Sequence, residues 1–150
     1  MPTARVHNVD QAVVVSTDSM TLVLEWCLRG YDEMLRVVAP EDAATAGIDA
    51  EDVSGLEPWA SVLGSPVVGF GVATQLSESG RTVLWSLRMD FGKAGGVVVA
   101  LGELRGAAPE YQPDNLVVIS DPDIAQAHQV LDAPESAWGR ALHLQGGVER

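Results

Sequence analysis

The sequence predicts an α+β domain, mainly antiparallel β, of about seven strands with a short connector helix and C-terminal helices. Three observations predict it. Apolar residues alternate with period two through two long stretches. Each stretch runs into a Gly-containing turn and then a β-branched run, the pattern of a hairpin. Helix-start chemistry of the Asp-Pro type is confined to the last third of the chain. At 150 residues the chain fits a single domain, 1–150, long enough to bury a core without disulfides or metals.

The elements follow in order. Residues 11–17 form a first strand. In 20–28, Leu22, Leu24, Trp26 and Leu28 share an apolar face, while Thr21, Glu25 and Cys27 point the other way. Arg29-Gly30-Tyr31-Asp32 turns the chain into a strand over 34–38. The stretch 40–47 has Pro near its start and Gly at its end, the marks of a short helix. Pro58 opens a second short helix over 59–63, with Gly64 as its stop.

A second unit resembles the first. Residues 66–76 form a strand in which Gly69 and Gly71 suggest a bulge or a close backbone approach. In 82–91, Val83, Trp85, Leu87, Met89 and Phe91 share one face, and Ser86, Arg88 and Asp90 share the other, wet one. A turn through Gly92, Gly95 and Gly96 leads to a strand over 97–101. The chain thus reads as two similar three-strand meanders, in a curved sheet or half-barrel. A loop with Pro109 and Pro113 fills 106–115, and 116–119 is a seventh strand. Asp121-Pro122-Asp123 starts a helix to about Leu131, and Ala133-Pro134-Glu135 starts another carrying Trp138. The ends, about 1–6 and 146–150, are expected to fray.

Composition narrows function. Net charge is −12, which repels phosphate backbones and anionic membranes, so neither nucleic acid nor membrane is an expected partner. A basic protein is the electrostatically favoured partner. Cys27 is the only cysteine, which suits a reducing compartment. The first residues lack an apolar core flanked by positive charge, so no signal peptide is expected and the default location is cytoplasmic.

No nucleophile elbow, phosphate loop or Cys-x-x-Cys occurs. His7, His128 and His143 lack metal-ligand spacing, and no cofactor or metal is expected. Glu41, Asp42, Asp49, Glu51, Asp52 and Glu57 fall within seventeen residues without Lys or Arg. They are candidates for an acidic docking surface or simply a solvated loop, and they miss the spacing of an EF-hand.

The partner-binding candidates are Asp49, Glu51, Asp52, Glu57 and Trp59. The alternative is a small-molecule or enzymatic β-roll with ligand-binding residues Trp85, Arg88, Asp90 and Tyr111, and with Glu103 and Asp114 nearby. A cross-strand charge ladder explains the same charges more simply. A third expectation is a structural subunit, homo-oligomeric through a β edge or the Trp138 helix. The leading one is a small acidic binding protein. In type alone it resembles bacterial immunity or accessory proteins, and no residues carry over.

Overall fold

In the computed structural model, residues 6–128 are described, apart from 10, 31, 46, 48, 78 and 107. The chain is mostly antiparallel β-sheet with a few short helices. Both expected meanders form. Strands β2 (Ala12–Ser16), β3 (Thr21–Arg29) and β4 (Asp32–Val38) make a three-stranded sheet in that order. Arg29 stands opposite Asp32, so a two-residue loop closes the β3–β4 hairpin, and Gly30 there has φ 66°.

Strands β5 (Gly69–Leu76), β6 (Thr82–Asp90) and β7 (Gly96–Leu101) repeat the arrangement. They belong to a five-stranded sheet, ordered β1-β10-β7-β6-β5. Two strands join from the ends of the described chain, β1 (Val6–Val9) and β10 (Leu116–Ile119), paired to each other. Strand β4 packs against β6 and β7. The core runs through both sheets, with Leu24, Leu35, Trp85, Val97, Val99, Leu101, Leu116 and Ile119 excluded from water.

Several expectations are corrected. Ten strands form among the described residues, three more than expected. One extra is β1. The others are β8 (Glu103–Arg105) and β9 (Ala108–Glu110), which fold part of the expected loop into a hairpin around Gly106, at φ 65°. Pro109 is tolerated there because β9 is the edge of a two-stranded sheet, where a missing N–H breaks no further ladder. The stretch after Pro40 makes only a 3-10 turn, Pro40–Asp42. The backbone N–H groups of Ala44 and Thr45 donate to the Glu25 carboxylate instead of continuing a helix. Leu28 is 61 % exposed, although it extends the apolar face of Leu22, Leu24 and Trp26, because it lies next to the loop that closes the β3–β4 hairpin.

Two helices follow. Helix α1 (Trp59–Val62) begins after Pro58 and stops before Gly64, at φ 82°. Helix α2 (Pro122–Ala127) has Asp121 as its cap, the carboxylate accepting from the N–H groups of Asp123 and Ile124. Among the described residues it ends at Ala127. His128 turns to extended backbone (ψ 113°), and its ring is drawn to the carbonyl of Leu101. The expected continuation to Leu131, the Trp138 helix, residues 1–5 of the expected frayed start and the frayed C-terminal end lie outside the described residues; Val6 opens β1. No helix of the described chain is long and apolar enough to cross a membrane.

The alternation along β6 breaks once. Ala73 stands opposite Ser86 but Thr74 stands opposite Leu84, so Trp85 is an extra residue, a β-bulge. Neighbours on β5 point to opposite faces, and residues directly opposite share a face. Leu84 and Ser86 therefore lie on opposite faces although two apart. Trp85 falls with Ser86 and Arg88, not with Leu87 and Met89 as uninterrupted alternation predicts. The bulge sits two residues beyond Gly71 along β5, and the added residue is on β6.

Candidate functional site

The bulge brings Trp85 onto the face that carries Arg88 and Asp90. That face is not wet. Ser86 is buried, and helix α2 lies over it, with Ala125, Arg88, Gly96, Val98 and Ile119 around a cavity of about 10 Å³. Such a space holds about one water. A Cβ on Gly96 would come within 2.7 Å of the Arg88 guanidinium.

Trp85 is fully buried by protein. The ring of Tyr111 meets it edge-on at 6.4 Å and that of His128 at 5.5 Å. Gln75, on the same face, donates from Nε2 to the Tyr111 hydroxyl at 3.2 Å. Burial raises the Tyr111 phenol above its ordinary range. The indole N–H of Trp85 is enclosed without an acceptor among the described residues. His128 Nε2–H donates to the Leu101 carbonyl at 2.9 Å, and Gly102 leaves the room for this approach. Burial pushes the His128 imidazolium down, against hydrogen bonds to the Leu101 and Pro109 carbonyls.

The remaining charges are dispersed. Asp90 accepts from the Gly92 N–H, Glu103 from the Asn115 amide, and Asp114 is exposed. Of the ligand-binding candidates, Trp85 and Tyr111 touch. They form an aromatic plug with His128, and these side chains cover the Trp85 ring.

The acidic connector is open. Asp49, Glu51 and Asp52 are exposed. Asp52 Oδ1 accepts from the Ser54 N–H at 2.9 Å and its hydroxyl at 2.6 Å, which lowers the Asp52 carboxyl. Glu57 is half-buried and accepts from the Ser61 hydroxyl one turn on. Trp59 packs against the core, so its ring is committed to folding. The same segment exposes apolar side chains: Val53, Leu56 at 57 % and, after α1, Leu63 at 68 %.

Two buried carboxylates escaped the reading of the sequence. Glu25, on β3, accepts from Arg36, from the N–H groups of Ala44 and Thr45, and from the Thr45 hydroxyl. Burial alone would raise its carboxyl; those donors outweigh burial and hold it below the ordinary value. Asp32 accepts from the Ser79 hydroxyl and from Arg81 in the β5–β6 turn. Ser79, then Arg81, then Ser77 bring it down to about 2. Glu25 pins the connector to the first sheet, and Asp32 pins the second meander to the first. The signal for Glu25 was present, because a two-residue loop between Arg29 and Asp32 counts back to Glu25 opposite Arg36. Asp32 had none, since Ser79 and Arg81 are distant in sequence.

Among the described residues no group of three or more His, Cys, Asp or Glu side chains is arranged to hold a metal ion. No family model matches the chain, and no curated protein or solved structure matches it either.

Proposed function

We propose that this is a non-catalytic binding domain that engages a basic protein through the acidic segment joining its two meanders. The observation that supports it is a charge asymmetry with an exposed apolar component. Between Arg36 and Arg81 the chain has no Lys or Arg, yet it carries Glu41, Asp42, Asp49, Glu51, Asp52, Glu57 and Glu78. Asp49, Glu51 and Asp52 face solvent next to Val53 and Leu56. Such a field steers a cationic partner into place, and the apolar side chains supply contact area that dehydrates on binding. A cytoplasmic setting suits the lone Cys27.

The test is a native pull-down with the protein and with an Asp49→Asn, Glu51→Gln, Asp52→Asn variant, the eluates identified by mass spectrometry. The reading expects one stoichiometric basic protein, released by salt and lost with the variant. Recovery of no stoichiometric partner, or of one that the variant retains, would overturn it.

A further inference from the structure

Strand β5 ends the five-stranded sheet, and among the described residues its outer side pairs with no strand. Edge strands in native proteins are normally kept short, or blunted with charge, proline or a covering element. The other edge of this sheet, β1, spans four residues. In the smaller sheet, edge strand β4 carries Asp32, Glu33 and Arg36, and β2 spans five residues. Strand β5 has eight, Gly-Phe-Gly-Val-Ala-Thr-Gln-Leu, with neither charge nor proline. It lacks the usual protections.

Its surface is apolar as well. Phe70, Val72, Thr74 and Leu76 share one face by alternation. Phe70 is 42 % exposed and Leu76 70 %, and the chain enters the strand through exposed Leu63 and Val68. Most of the large apolar side chains exposed on the described chain fall between Val53 and Leu76. That is the same stretch without a single Lys or Arg. An open hydrogen-bonding edge and an apolar flank therefore coincide within the segment of the chain that lacks Lys and Arg.

We infer that β5 is a docking edge: an extended segment of a basic partner adds to the sheet as a further strand, its apolar residues on Phe70 and Leu76. This rests on the basic-partner reading and specifies how the partner binds. Backbone hydrogen bonds give such strand addition its affinity, and alternate side chains give its specificity. The occupant is cationic because the protein carries a net charge of −12. A second copy of this chain is the wrong occupant, since each copy carries a net charge of −12.

The probe is an eight-residue peptide alternating Arg and Val, measured by calorimetry and by amide hydrogen exchange of the full chain. One control peptide is N-methylated at every backbone nitrogen, which removes its backbone donors along both edges but keeps its charge. Expected are saturable binding, slowed exchange at amides of β5, and at least tenfold weaker binding of the methylated peptide. Phe70→Lys and Leu76→Lys, both at exposed positions, weaken binding similarly. Equal binding of both peptides, lost in the Asp49→Asn, Glu51→Gln, Asp52→Asn variant, would overturn strand addition while leaving the basic-partner reading intact. Binding of neither peptide at low salt would overturn both. A dimer of the protein alone, dissolved by Phe70→Lys, would overturn the choice of occupant.

Discussion

Arg36 holds the buried carboxylate of Glu25 through both Nε and an NH2 group, each 2.6 Å from Oε2. The two residues stand directly opposite each other on neighbouring strands. The same carboxylate also takes N–H donors from Ala44 and Thr45, so one side chain joins the hairpin to the start of the acidic connector.

Removing Glu25 leaves several donors without their acceptor and Arg36 without its counter-charge. Glu25→Ala is therefore expected to lower stability by about 3 kcal/mol. Urea denaturation followed by tryptophan fluorescence measures it. A midpoint within error of the parent would contradict the role assigned to Glu25.

Asp32 sets an acid limit. Its folded carboxyl lies at about 2 against an ordinary 3.8. A depressed acid contributes stability above its unfolded value, and that contribution disappears as pH falls through the folded value. The Asp32 contribution is thus full above about pH 4 and gone below about pH 2. Asp32→Asn should be less stable at pH 7 and should lose less stability across that window. Parallel pH–stability curves for parent and variant would show that Ser79 and Arg81 do not act through the charge.

His128 acts in a higher window. Burial lowers its folded value below the ordinary 6.5. The unfolded chain then takes up the proton first, so stability falls as pH drops below about 6.5. His128→Gln should remove that part of the slope between pH 7 and 5. Thermal melts of both proteins across this range test it, and an unchanged slope would place the titration elsewhere.

Two glycines should differ in their tolerance of alanine. A Cβ on Gly102 would stand 2.9 Å from His128 Nε2 and 3.0 Å from the Glu110 carbonyl oxygen. Backbone cannot swing aside, so Gly102→Ala is expected to cost about 2 kcal/mol. On Gly96 the atoms met belong to the end of the Arg88 side chain, which can move, and Gly96→Ala should cost less than about 1 kcal/mol. Equal midpoints in denaturant for the two variants would contradict the packing around His128.

The sequence alone determined what is local. Alternation and glycine placement located both meanders, and the Asp-Pro pair located the start of α2, because those signals act within a few residues. It determined the net charge and the acidity of the connector, which no folding can alter. Only the tertiary structure decided which face of β6 carries Trp85, because one inserted residue reverses the alternation and leaves no mark in composition. Tertiary structure also decided that the stretch after Pro40 is not a helix. There a buried carboxylate on another strand out-competes the weak intrinsic preference of a short segment for helix. The open edge of β5 belongs to the same class. A strand's own residues say that it pairs, but only the order of strands in the sheet says on which side pairing stops.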